Sequence, residues 1–116
     1  MFSFLRRTTP EISVEELNRL LHDPAARVLD VREDWEYRRG HVPGAIHIPL
    51  GQLRGRVGQL PRGQRIVVIC QFGNRSLSAT DFLRAQGFEG AASVAGGTSA
   101  WARSGRRLEE GPARAA

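Results

Sequence analysis

The sequence predicts an α/β fold: one domain in which a mostly parallel sheet of about five strands carries helices on both faces. A length of 116 residues is enough for one hydrophobic core, and a 41% share of hydrophobic residues is typical of a globular chain. Apolar stretches with strand character alternate with stretches of helical periodicity, as in βαβ units. The run RIVVIC at residues 65–70 is almost wholly apolar and β-branched, which indicates a strand covered on both faces.

The first half of the chain is predicted to contain three strands and two helices. Glu11-Ile12 is a short edge strand, and Ser13 opens a helix over residues 13–23 as the N-terminal residue of a capping box with Glu16. Asp23-Pro24 ends that helix. The remaining elements of this half are a buried strand at 26–31, a short helix at 33–40 that ends at Gly40, and a Pro-Gly turn with a short strand at 42–50.

The second half is predicted to begin with a Gly- and Arg-rich loop containing one helical turn, at residues 51–63. The other elements are the strand at 65–70, a helix at 76–88 with Gly87 as its cap, a strand with its exit turn at 91–97, a closing helix at 98–105, and a frayed tail at 109–116.

In a parallel sheet, ligands lie beyond the carboxyl ends of the strands, and Cys70 is at the carboxyl end of the strand at 65–70.

The composition excludes several classes of function. A single cysteine cannot form an internal disulfide, and the absence of lysine excludes Schiff-base chemistry and a P-loop. The net charge of +5 favours anionic ligands, but the arginines are scattered and not interleaved with aromatic residues, so we expect no nucleic-acid binding. No apolar run is long enough to span a membrane, and the N-terminal MFSFLRR does not fit a secretory signal, so we expect a cytoplasmic protein.

Cys70 lies between a strand and the start of a helix, in the stretch CQFGNRS. A thiol is nucleophilic as the thiolate, which the free N–H groups and the dipole of a helix N-terminus stabilise. Gly73 permits a positive φ, so that several N–H groups of the loop can converge on one point. Arg75 adds positive charge near the mouth, and Ser76 and Ser78 can cap the helix or donate hydrogen bonds to a sulfur species. The pattern predicts a thiolate that handles an anionic substrate; the alternative is a cysteine that only packs as a small hydrophobic residue.

Three stretches resemble one known family, the single-domain rhodaneses. CQFGNRS is similar to the active-site pattern Cys-x-x-Gly-x-Arg-Ser of that family. LDVREDWEYRRGHVPGAIHIPL resembles its Asp-x-Arg…Gly-His-Ile-Pro-Gly-Ala segment, with Val42 in place of the usual Ile, and VAGGTSAWARSG resembles its closing Gly-Gly…Trp…Gly segment. The motifs occur in the family's order. The resemblance covers residues 9–107, which we predict to be one rhodanese-like domain, with terminal extensions at 1–8 and 108–116.

The resemblance implies a sulfurtransferase with Cys70 as the catalytic nucleophile. Cys70 would take a sulfane sulfur from thiosulfate or a similar anionic donor, hold it as a persulfide, and pass it to cyanide or a thiol. Cysteine-dependent phosphatases and arsenate reductases have the longer loop Cys-x5-Arg, whereas Cys-x4-Arg here suits a smaller sulfur ligand. The substrate cradle implied by the family consists of Gln71, Phe72, Gly73, Asn74, Arg75 and Ser76.

Other candidate residues have a structural interpretation beside the functional one. Asp30 and Arg32 follow a strand on the same side as Cys70; they form either a charged rim or, the interpretation we favour, a pair that braces neighbouring loops. His41 is a candidate general base, but its family match lies in a structural turn. The histidines and Cys70 show no metal-ligand spacing, so we expect neither a metal site nor a cofactor.

The aromatic residues are also open to two interpretations. Trp35 and Trp101 are predicted to anchor short helices in the core. Phe72 lies inside the loop and forms either an apolar wall at the entrance or a contact beneath the loop.

Two alternatives to the enzyme remain open. One is a persulfide carrier that serves a dedicated partner protein, since no second thiol is present to resolve the persulfide internally. The other is a non-catalytic rhodanese module, against which the intact Cys70 loop argues. The physiological donor, the acceptor and the oligomeric state are not determined by the sequence.

Overall fold

Five parallel strands form a single sheet in the structure, a computed structural model that describes residues 8–113. Their order across the sheet is β1-β5-β4-β2-β3, and every pair of neighbours is parallel. The predicted α/β fold is therefore confirmed, and the sheet is wholly parallel. The strands are β1 (Glu11–Ile12), β2 (Ala26–Asp30), β3 (Ile46–His47), β4 (Arg65–Ile69) and β5 (Ala92–Val94).

Five α-helices cover the two faces of the sheet, as the alternating pattern predicted. The first face carries the helices that contribute Leu17, Tyr37 and Trp101 to the core, and the second face carries those that contribute Leu53 and Leu83. The helices are α1 (Val14–Leu20), α2 (Asp34–Arg39) and α5 (Gly97–Arg103) on the first face, and α3 (Leu50–Arg56) and α4 (Asn74–Ala85) on the second. No helix within residues 8–113 has the length and hydropathy needed to cross a bilayer.

The two core clusters meet across β4, the central strand. Because side chains alternate along a strand, Ile66 and Val68 face one cluster, while Val67 and Ile69 face the other. All four are essentially inaccessible to solvent. The continuous apolar run of β4 thus reflects burial on both faces.

The pairing of β4 with its neighbours positions the site. Asp30 of β2 is in register with Ile69 of β4, and Val68 is in register with Ser93 of β5. Parallel strands end at the same edge of a sheet, so the loops after β2, β4 and β5 converge there. Cys70, the first residue after β4, lies in the middle of this edge.

Two predicted elements differ in extent from those in the structure. The predicted loop at 51–63 begins with helix α3 and a 3₁₀ turn at Val57–Gln59, because Leu53 and Leu60 are buried although the segment is rich in Gly and Arg. Helix α4 begins at Asn74, before the predicted start at Ser76, since Gly73 already serves as its N-cap.

The predicted frayed tail is ordered where the structure describes it. The backbones of Glu109 and His41 exchange hydrogen bonds of 2.9 and 2.8 Å, and the N–H of Gly111 donates to Arg38. Residues 114–116 of that predicted tail lie outside the described residues. The pairing of residue 109 with residue 41 is non-local, so no local pattern in the tail indicates it.

The capping predictions were partly right. Ser13 caps α1 by accepting from the N–H of Glu16 at 3.1 Å, but the Glu16 carboxylate pairs with Arg19. A reciprocal capping box occurs at α2 instead, between Glu33 and Glu36. Of the two tryptophans, Trp101 is buried as predicted, whereas Trp35 is 60% exposed and does not anchor the core.

Candidate active site

The loop after β4 turns sharply into α4. Gly73 has φ +101°, a left-handed conformation that residues with a Cβ rarely adopt, and it is the N-cap of the helix. Asn74 is then the first helical residue. This turn directs the first N–H groups of α4 back toward the end of β4, where Cys70 lies.

Two backbone N–H groups and one hydroxyl group make hydrogen bonds with the sulfur of Cys70. The backbone N–H groups of Gly73 and Ser76 lie 3.2 and 3.3 Å from Sγ, and the hydroxyl oxygen of Ser76 is also 3.3 Å away. The residue is 1% exposed. Amide donors converging on one atom stabilise negative charge there, so the loop fits a thiolate better than a neutral packing cysteine.

The loop after β4 is hydrogen-bonded to the start of α5. The N–H of Thr98 donates to the carbonyl of Cys70 at 2.9 Å, and that of Ser99 donates to the carbonyl of Gln71 at 3.0 Å. Gly97 makes this contact possible: it has φ +60°, and a Cβ there would lie 2.5 Å from the Gln71 oxygen and closer still to that of Cys70. The Gly-Gly segment therefore allows the start of α5 to pack closely against the backbone of Cys70 and Gln71.

Arg75 is bound to Glu36 of α2. Two hydrogen bonds of 2.8 and 2.9 Å join the guanidinium fork to the carboxylate. These bonds raise the pKa of Arg75 and lower the pKa of Glu36 from their ordinary values, against the opposing effect of burial on each. Because both ends of the guanidinium fork donate to Glu36, Arg75 holds the loop against α2, and its positive charge is paired with a carboxylate. Negative charge on Cys70 and Asp30 also raises the pKa of Arg75, in the same direction as Glu36.

The other predicted cradle residues lie toward the outside of the loop. Gln71 lines a shallow cavity of about 240 Å³ together with Glu36, Thr98 and Ser99. Phe72 is 63% exposed, so it does not pack beneath the loop. Asn74 is also exposed, at the first position of α4.

Asp30 and Arg32 form a buried bidentate pair. The guanidinium donates to both carboxylate oxygens at 2.8–3.1 Å, and it also donates to the carbonyl of Gly40 at 2.7 Å. The side chains are 0% and 6% exposed. These contacts connect the end of β2 to the end of α2, which favours the bracing interpretation over a charged rim.

His41 is held in a turn at the end of α2. Its Nδ1–H donates to the carbonyl of Tyr37 at 2.8 Å, and its ring stacks on that of Tyr37 with 3.7 Å between centroids. His41 also lines a cavity of about 740 Å³ with His47 and Glu109, and none of residues 70–76 lines that cavity. These contacts support the structural interpretation of His41.

Several residues at the site were not singled out from the sequence. Ser93 contacts Ser76 through a hydrogen bond of 2.7 Å between the hydroxyl oxygens. A serine within the apolar stretch of β5 was an available signal, because a buried hydroxyl needs a partner. Glu36 gave no such signal, since its partner is distant along the chain, and Gly97 was noted only as part of the closing Gly-Gly segment.

Comparison with known proteins identifies the family of this chain. A family model described as "Rhodanese-like domain" matches residues 13–104. The chain belongs to the rhodanese-like domain family. The resemblance in the three sequence motifs is thereby confirmed.

Solved rhodanese-like structures agree with the fold. The rhodanese-related protein from Thermoplasma volcanium is 34% identical, with a TM-score of 0.79 over 86% of this chain and 97% of the other. The human single-domain sulfurtransferase TSTD1 is 32% identical, with a TM-score of 0.73 over 83% and 97% of the two chains.

A curated relative is longer than this chain. The Bacillus subtilis protein named "Putative sulfur carrier protein YrkF" is 39% identical over 93 residues, which are 79% of this chain and 50% of the relative. The chain thus spans about half the length of that relative.

Proposed function

We propose that this rhodanese-like domain is a sulfurtransferase that moves a sulfane sulfur from thiosulfate, or a similar small anionic donor, to a thiophilic acceptor through a persulfide on Cys70. The observation that supports this proposal is the surroundings of Sγ: two backbone N–H groups donate to it at 3.2 and 3.3 Å, and the Ser76 hydroxyl oxygen lies 3.3 Å away. They stabilise a thiolate that is ready to attack an electrophilic sulfur.

In the first step, the Cys70 thiolate attacks the outer sulfur of thiosulfate. A new S–S bond forms at Sγ, the S–S bond of thiosulfate breaks, and sulfite leaves with the electron pair. The product is an anionic persulfide, Cys70–S–S⁻. The backbone N–H groups that donate to Sγ offset part of the repulsion between the two anions, whereas the Arg75 charge is already paired with the Glu36 carboxylate.

In the second step, the acceptor attacks the outer sulfur of the persulfide. With cyanide, a C–S bond forms, the S–S bond to Sγ breaks, and thiocyanate leaves while the Cys70 thiolate is restored. The amide donors then stabilise the charge returning to Sγ. A thiol acceptor would instead receive the sulfur as its own persulfide. Cys70 is the single cysteine among these 116 residues, so the accepting thiol lies outside them.

A persulfide carrier that serves one partner protein is the second candidate. Two observations favour it: the name of the B. subtilis relative, and the exposed Phe72 within the thiol loop, residues 70–76. A non-catalytic binding module is the third candidate, and the donor set around Cys70 argues against it, because a packing cysteine needs none. We place the reaction in the cytoplasm, where free thiols stay reduced.

Intact mass spectrometry of the purified protein before and after thiosulfate, and then after cyanide, tests the proposal. We expect a gain of one sulfur atom that cyanide removes with release of thiocyanate, and no gain in Cys70→Ser, a variant of similar size. An equal gain in Cys70→Ser would refute the mechanism. The absence of an adduct from thiosulfate, mercaptopyruvate and a protein persulfide alike would leave the binding module. Fast discharge to one cellular thiol protein with slow discharge to cyanide would favour the carrier.

A further inference from the structure

A second buried hydroxyl lies behind the one that contacts Cys70. Ser93 is in β5, its hydroxyl oxygen lies 2.7 Å from that of Ser76, and both residues are 0% exposed. Ser76 Oγ is in turn 3.3 Å from Cys70 Sγ. The three side chains form a chain of contacts from the sheet to the sulfur.

The number of available protons and the charge of Cys70 together determine the direction of these hydrogen bonds. Each serine hydroxyl has one proton, and within residues 8–113 the Ser93 hydroxyl makes one hydrogen bond, with Ser76 Oγ. If Cys70 is a thiolate, it accepts from Ser76, and Ser76 accepts from Ser93, so that every proton has an acceptor. If a neutral thiol donates to Ser76 instead, the Ser76 proton turns to Ser93, and the buried Ser93 proton then has no acceptor.

An unsatisfied buried donor is unfavourable, so this arrangement favours the charged form of Cys70 over the form that donates its proton. We propose that Ser93 is a positioning residue: its hydroxyl donates to Ser76 Oγ and thereby directs the Ser76 proton at the sulfur of Cys70. Ser93 does not touch the sulfur. It acts through Ser76, whose O–H is a stronger donor while it also accepts.

The inference deepens the proposed sulfur transfer and rests on it for its role in turnover. Sγ carries negative charge when it attacks the donor, and it regains that charge when the persulfide bond breaks. A correctly directed Ser76 hydroxyl stabilises both states. The effect on the thiolate itself can be measured without any sulfur donor, which separates this inference from the proposed function.

The first experiment measures the rate of alkylation of Cys70 by iodoacetamide as a function of pH. In Ser93→Ala we expect the midpoint of this profile to rise by about half a pH unit, which is about a threefold loss of thiolate below the midpoint. Thr80→Val is the matched control, because the buried Thr80 hydroxyl donates to the Ser76 carbonyl and not toward the sulfur. Its midpoint should equal that of the unmodified chain.

A double-mutant cycle tests whether Ser93 acts through Ser76. In the Ser76→Ala background, adding Ser93→Ala should leave the midpoint unchanged, and Ser93→Thr, which keeps the hydroxyl, should retain the original midpoint in the otherwise unmodified chain. An unaltered midpoint in Ser93→Ala would overturn the inference. So would a shift of the same size in both backgrounds, because Ser93 would then act by a route that bypasses Ser76. Both results remain interpretable if thiosulfate proves not to be a donor.

Discussion

Replacing Gly97 by alanine tests the claim that the thiol loop is supported by the start of α5. The substitution has two separate costs. Alanine at φ +60° is strained, by about 1–2 kcal/mol for a left-handed residue with a Cβ. The Cβ would also collide with the carbonyl oxygens of Cys70 and Gln71, the latter at 2.5 Å.

Relief of that collision requires the loop and α5 to separate. The movement weakens the hydrogen bonds from the N–H groups of Thr98 and Ser99 to those two carbonyls, now 2.9 and 3.0 Å long. Each such bond contributes about 0.5–1.5 kcal/mol, so we expect a total loss of about 2–5 kcal/mol for Gly97→Ala. Since Cys70 shares the displaced backbone, sulfur loading from thiosulfate should also fall by about 10–100-fold.

Gly105→Ala is the matched control. Gly105 has φ +82°, and a Cβ there would meet nothing within 4 Å, so the variant carries the strain without the collision. We expect a loss of about 1–2 kcal/mol and unchanged sulfur loading. Urea unfolding and mass-monitored loading measure the two quantities for both variants. Equal losses in Gly97→Ala and Gly105→Ala, with equal loading, would refute the supporting role of Gly97.

Three further predictions concern the loop and its partner on α2. Arg75→Ala leaves the Glu36 carboxylate without its guanidinium partner, so urea unfolding should show a free energy of unfolding lower by about 1–2 kcal/mol. The double variant with Glu36→Gln should recover much of this loss, and no recovery would contradict the pairing. The pKa of Glu36 is lower in the folded protein than in the unfolded chain, where it is about 4.3. The unmodified protein should therefore exceed Glu36→Gln in free energy of unfolding by the full amount above about pH 4.3, and by less as the pH falls below that value. A difference that is equal at pH 7 and pH 3 would argue against this. Phe72→Ala should change stability by less than about 0.5 kcal/mol, and slow transfer to bulky thiols more than to cyanide in discharge assays; equal slowing would exclude an apolar rim.

Local sequence patterns predicted most of the elements. Strand β4 was found from its continuous apolar run and helix α4 from the stretch between Ser76 and its cap at Gly87, because both signals lie in adjacent residues. The segment at 51–63 was predicted as a loop because its Gly and Arg content hides the two buried leucines, Leu53 and Leu60. Trp35 was placed in the core on residue type alone, whereas helix α2 buries Tyr37 and leaves the indole exposed.

The thiol loop could be predicted because its chemistry is local. Cys70, Gly73 and Ser76 all lie within the short segment of residues 70–76, so the expected convergence of N–H groups on the sulfur follows from the local backbone conformation alone. The role of Arg75 could not be predicted in the same way. Its carboxylate partner is 39 residues away along the chain, and the charge expected at the mouth is instead bound to helix α2.

The sequence by itself determined the fold class, the order of the elements and the position of one thiol at the end of a central strand. It did so because hydrophobic period, turn residues and helix starts are properties of neighbouring residues. Only the tertiary structure decided which groups meet at that thiol: Glu36 on Arg75, Gly97 beneath the loop, and Ser93 behind Ser76. These contacts join residues of different strands and helices. They depend on strand order and register, which are determined only when all the strands pair and the helices pack on both faces of the sheet.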